Sequence, residues 1–120
     1  MIEIKVRKHL AQKLKVPVLF EFPKVPDDFP ELPEKFVVIE KVGGSVHNHL
    51  RRESLAFQSY CDKLGDVMEL DESVQKGIFS LIEDNEVTSI KLASNYNHTD
   101  ERRKKHRYQS VFDFVTVERG

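Results

Sequence analysis

The stretch KFVVIEKVGGSVHNHLRRESLAFQSY, residues 35–60, decides how this chain folds. It holds the longest apolar run in the protein, Phe36 to Ile39. That run is far too short to cross a bilayer, and its β-branched and aromatic side chains favour a strand over a helix. Lys35–Val42 therefore reads as a buried strand and Gly43-Gly44-Ser45 as a turn. Val46–Tyr60 reads as a long returning strand, with Leu55 and Phe57 facing one way and Ala56 and Tyr60 the other. The pair is a β-hairpin, with contact on both faces expected near its end.

Upstream, Ile2, Val6, Leu10 and Leu14 recur four apart with Ala11 alongside, while Lys5, Arg7, Lys8, Lys13 and Lys15 cover the other faces. This predicts an amphipathic helix over residues 1–15 with a basic outer surface. Proline disfavours helical backbone in the residue before it, so Val16-Pro17 ends the helix and Val18–Phe22 follows as a short strand. Between Pro23 and Pro33 lie four of the five prolines, with Asp27, Asp28, Glu31 and Glu34 among or beside them, which predicts an extended acidic loop. Downstream, Val67, Leu70, Val74, Ile78, Leu81 and Ile82 place a second helix within 62–84. Gly65 blurs its start and leaves Asp66 or Asp71 as alternative N-caps. Val87–Tyr96 and His106–Val117 have strand composition, separated by the polar connection Asn97–Lys105. The expected fold is α+β: a mostly antiparallel, mixed sheet of about five strands with two helices packed on one face, one domain spanning 1–120.

The chain has 120 residues, 19 basic and 20 acidic, for a formal charge of −1. That balance disfavours dedicated duplex binding, which works by displacing counterions with excess positive charge. Neither a membrane span nor a signal peptide is expected, and the single cysteine, Cys61, excludes an intrachain disulfide and a Cys-rich zinc site. Cys61 has no base near it in sequence and reads as a small buried hydrophobe. His47 and His49, two apart on the predicted strand, would share a face and could meet His98, Asp100 or His106 around a metal. Arg51 on the same face opposes a cation, so a solvated face is the better reading. Gly43-Gly44-Ser45 has neither the following helix of a phosphate cradle nor the flanking glycines of a nucleophile elbow. Asn97-His98-Thr99 fits a glycosylation acceptor, without meaning where no secretory signal is present. No catalytic set, metal set or cofactor motif emerges, and a non-enzymatic protein is expected.

Charge layout says more. Residues 1–15 carry five basic side chains and one acidic, whereas residues 62–86 carry eight acidic and two basic. Residues 102–107, Arg-Arg-Lys-Lys-His-Arg, form a further basic block. Such blocks are ordinarily solvated faces, but complementary patches on one subunit can also meet head to tail, a contact that closes into a ring when the rotation allows.

Five segments taken in order, Phe36-Val37-Val38-Ile39-Glu40, Gly43-Gly44-Ser45, Phe57-Gln58-Ser59-Tyr60, Tyr96-Asn97-His98-Thr99-Asp100 and Arg107-Tyr108-Gln109-Ser110-Val111-Phe112-Asp113-Phe114, resemble the tail-terminator, or tail-completion, proteins of long-tailed bacteriophages and prophages of Gram-positive bacteria. The resemblance implies a virion structural protein without cofactor. Its subunits would form a ring, typically of six copies, at the head-proximal end of the tail tube, end tube polymerisation and offer the head-attachment surface. Its partners would be further copies of itself, the major tail tube protein and the head connector or head-closure protein, with no membrane and no specific nucleic acid. It would be found in the virion tail, and in the host cytoplasm during assembly. Assembly contacts are expected from Asp27, Asp28 and Glu31 in the acidic loop and from Arg102, Arg103, Lys104, Lys105 and Arg107 in the basic block. A basic patch from the first helix or from the 102–107 block would dock on the acidic second helix of a neighbour. The alternatives are another neck component, such as a head-closure protein, and a prophage nucleic-acid-binding accessory using the basic block.

Overall fold

A computed structural model describes residues 2–22, 33–99 and 105–117. Helix α1 spans Ile2–Leu14, β1 Val18–Leu19, β2 Phe36–His47, β3 Leu50–Cys61 and α2 Leu64–Phe79. A short 3-10 turn at Ser80–Glu83 then leads into β4, Val87–Asn97, and β5, His106–Val117. The strands form one sheet in the order β1-β2-β3-β5-β4. Only the β1–β2 pair is parallel, so the sheet is mixed and mostly antiparallel, in an α+β fold.

Period-two alternation sorts the side chains onto two faces. Val37 and Ile39 of β2, Leu55, Phe57 and Cys61 of β3, and Phe112 and Phe114 of β5 meet Val6 and Leu10 of α1 and Val67, Val74 and Ile78 of α2 in one buried core. Both helices thus cover the same face. On the other face Phe36, Val38 and Tyr60 form a smaller cluster with Leu19 and Phe22. The Phe36 and Tyr60 rings stack at 4.8 Å, and Phe22 meets each of them edge-on. This contact also explains why the predicted strand over Val18–Phe22 is only two residues long: after Leu19 the chain leaves the sheet edge to bring Phe22 over these rings.

The hairpin turn is not where its glycines suggested. Gly43, Gly44 and Ser45 lie within β2, and the reversal occurs at Asn48-His49, between the paired His47 and Leu50. Both turn residues have positive φ, 50° and 65°, as a two-residue turn matched to strand twist requires. Gly44 serves close approach instead: a Cβ there would come within 3.2 Å of the Arg52 carbonyl. The register shifts between Lys41 and Gly43, where Val42 bulges outward.

Helix α1 ends as its sequence indicates, with Lys15 in the left-handed region at φ 55° and its amide bonded to the Ala11 carbonyl, just before Val16-Pro17. The start of α2 corrects the expected caps. Lys63 is the extended N-cap residue, Asp66 lies in the first turn, where it complements the helix dipole, and Asp71 is buried in mid-helix. Gly77 lets the helices meet, since a Cβ on it would stand 2.9 Å from Leu10 Cδ2. His9 Nε2 reaches the Gly77 carbonyl at 3.0 Å and Ser80 Oγ at 2.7 Å across the same seam.

Candidate assembly surface

Of the residues singled out for assembly, Asp27, Asp28, Glu31, Arg102, Arg103 and Lys104 lie outside the described residues. Lys105 is not a solvated loop charge. It is buried, with its ammonium on Asp62 Oδ1 at 2.5 Å and donating to the Glu34 carbonyl at 3.4 Å. The Arg107 guanidinium donates to the His98 carbonyl at 2.6 Å and to Tyr60 Oη at 3.2 Å, with its carbon 5.9 Å from the Tyr60 ring centre. Both cations therefore tie strand ends together within one subunit.

The opposite charges of the two helices are likewise partly matched internally. Lys5 of α1 lies 3.0 Å from both Asp84 and Glu86, which follow α2. Hydrogen bonds to Glu86 and Asp84 hold the Lys5 ammonium above its ordinary range. Asp84 is held low, chiefly by the Glu86 backbone amide and then by Lys5. Charges exposed to a partner include Lys8 on α1 and Glu72 on α2, with Arg7 half-buried beside Phe20.

The sheet face away from the helices carries a hydrogen-bonded row across four strands. Gln58 donates to Glu40 at 3.1 Å and to Gln109 Oε1 at 3.0 Å, and Gln109 donates to Tyr96 Oη at 2.6 Å. Further along, Ser54 donates to Asp113 at 2.5 Å. These side chains satisfy one another across the face.

Two buried acidic features were not read from sequence. Glu3, in the first turn of α1, and Glu53, in β3, both flank Lys41 Nζ, at 3.6 and 3.7 Å, and Arg51 lies 3.3 Å from Glu53. Burial, together with the adjoining Glu3 carboxylate, pushes the Glu53 carboxyl up. Burial acts on Glu3 as well, but hydrogen bonding from Glu53 and its own backbone, with Lys41, outweighs it and holds Glu3 low. The two carboxyls are thus pushed apart, Glu53 up and Glu3 down. The second feature is Asp71, which accepts from Gln75 and from Asn95 of β4, each at 2.8 Å, and is pushed up by burial despite them. It locks α2 to β4.

The metal grouping is not formed among the described residues, and Asp100 lies outside them. His49 sits in the left-handed turn, so it does not share a strand face with His47, and no group of three His, Cys, Asp or Glu among the described residues is placed to hold an ion. Cys61 is fully buried and its thiol is pushed up to about 11, first of all by burial. An open groove of about 670 Å³ runs between the end of α1 and α2 with Lys13, Lys35, Asp66, Glu69 and Lys76 on its walls. No described helix is long and apolar enough to cross a membrane.

No family model matches the sequence, and no curated protein does. Among solved structures, the chain is similar to one in the virion of the native gene transfer agent (GTA) particle, with a TM-score of 0.52 and 10% identity over 93% of this chain and 91% of that one. At that identity the likeness is one of fold, and it runs through nearly the whole length of both chains.

Proposed function

We propose that this protein is a structural subunit of a phage-like virion, acting as the ring that ends the tail tube at its head-proximal end and presents the surface for head attachment. The observation that carries the reading is the likeness of fold to a chain of the GTA virion, spanning 93% of this sequence. The ordered segments from Phe36 to Phe114 that resemble tail terminators narrow it to that role. The surface agrees with a non-enzymatic part. The open sheet face carries a hydrogen-bonded row of side chains, and the two helical segments differ in charge, residues 1–15 being mostly basic and 62–86 mostly acidic. A subunit of this size cannot cap a tube alone, so several copies act together.

The test is deletion of the gene in the particle that encodes it, followed by electron microscopy. Tails of uncontrolled length beside unattached heads are the expected outcome, restored to normal by the gene supplied in trans. Joined particles with tails of normal length would overturn the reading. Full-length tails that merely fail to join heads would assign the chain to the head-closure step instead.

A further inference from the structure

Of the ten large apolar side chains exposed among the described residues, all but Tyr96 and Val117 fall on two flanks. Ile4, Phe20, Val42 and Val46 lie along the β1–β2 edge and the outer side of α1. Leu64, Met68, Phe79 and Ile82 lie along α2 and the turn that follows it. On α1, Lys5 and His9 mark the side turned to α2, and at 100° per residue Arg7 falls nearly opposite them, its guanidinium carbon 5.8 Å from the centre of the Phe20 ring. Lys8 stands exposed one turn from Ile4. On α2, Leu64, Met68, Gln75 and Phe79 follow one another at helical spacing on the side where Asp71 takes the Asn95 amide of β4. Glu72 borders this stripe and Glu83 follows it, both exposed. Because the strand order is β1-β2-β3-β5-β4, the two flanks are opposite edges of one molecule. Each carries four apolar anchors, with Arg7 and Lys8 beside those of one flank and Glu72 and Glu83 beside those of the other.

The geometry points to a head-to-tail contact in which the α1 flank of one copy, with Ile4 and Phe20 as apolar anchors and Arg7 and Lys8 as its charges, seats against the α2 flank of a second copy. This rests on the ring reading above and names its interface. A patch at one edge that is complementary to the opposite edge makes a heterologous contact, so copies add in one sense and close into a ring. Apolar anchors supply the area, and the bordering charges select the partner edge and reject like edges.

Two reversed variants test it. One carries Arg7→Glu and Lys8→Glu; the other carries Glu72→Lys and Glu83→Lys. Each variant alone presents like charges at every contact and should lose assembly at concentrations where the wild type forms rings, as read by sedimentation and native mass, with circular dichroism unchanged. Mixed in equal amounts, the two become complementary at both flanks. An even-membered ring of alternating copies should then return, a recovery that damage to the fold cannot produce. A wild-type oligomer indifferent to both reversals, or a mixture that does not recover, would overturn this contact while leaving the ring itself in place. A wild-type chain that stays monomeric up to about 1 mM, where even contacts of about 4 kcal/mol are populated, would overturn the contact together with the ring.

Discussion

At Glu53 burial and the neighbouring Glu3 carboxylate raise the carboxyl above the ordinary glutamate range. A folded-state pKa above the unfolded value means this group stabilises the fold below the unfolded pKa, and the contribution is lost as pH rises through the folded one. Glu3, held low, works in the opposite direction: its contribution is present above its unfolded pKa and is lost as pH falls through the folded one. Glu53→Gln keeps a donor toward Glu3 and removes the titration. The variant should therefore lose less stability than the wild type as pH rises above the ordinary glutamate range, and urea titrations at a series of pH values measure the difference. A parallel decline in both proteins would show that Glu53 is not the group responsible. Cys61 gives a second residue-scale expectation. With its thiol pushed up to about 11 inside the core, it should resist thiol reagents in native protein at neutral pH and react at once in denaturant. Rapid native labelling would contradict its burial. Cys61 was legible as a buried hydrophobe because a lone cysteine at a strand end has few other uses. The Glu3–Glu53 pair was not, because only the register that sets Lys41 opposite Leu55 brings residues 3, 41 and 53 together.

Elements were legible wherever one periodicity dominated. β5 appears at its expected bounds, and α1 differs only at its ends, since each carries an uninterrupted pattern and a clear stop. The hairpin turn was misplaced because Gly43-Gly44 is the stronger turn signal in sequence, whereas the two-residue loop needs positive φ at Asn48 and His49, which asparagine and histidine tolerate better than most side chains. Glycine bears that conformation without strain, so His49→Gly should stabilise the protein by about 1 kcal/mol, visible as a rise in Tm. An unchanged or lower Tm would indicate a different turn. The helical seam gives the opposite sign. Gly77→Ala would favour an isolated helix, yet here the new methyl meets Leu10, which is fully buried, and the cost should be about 1–3 kcal/mol. Chemical denaturation of the variant decides between these effects, and a stabilised variant would show that α1 and α2 do not approach so closely. Nothing in the sequence marked Gly77, because a close approach between helices some 67 positions apart leaves no local pattern.

For the whole molecule, the two-layer arrangement followed from counting apolar periods, while the use of its charges did not. The sequence shows a basic first helix and an acidic second one, but only the structure shows that Lys5 meets Asp84 and Glu86 within one subunit and that Lys105 and Arg107 are occupied by Asp62, Tyr60 and nearby carbonyls. The charges left for a partner border two apolar flanks at opposite edges. Assembly should therefore weaken as salt approaches about 1 M, where the Debye length falls to about 3 Å, without vanishing, because apolar anchors are insensitive to screening. Complete loss by about 0.3 M would mean that charge alone holds the copies, and no loss at all would mean that charge plays no part. The central claim, that this chain is a ring-forming virion subunit, is met most directly by cryo-electron microscopy of intact particles encoding it. The expected result is a closed ring of this fold between tail tube and head, six copies by its resemblance to tail terminators, with the α1 flank of each subunit against the α2 flank of the next. Particles of normal form that lack the chain, or that hold it as isolated copies away from the neck, would contradict it.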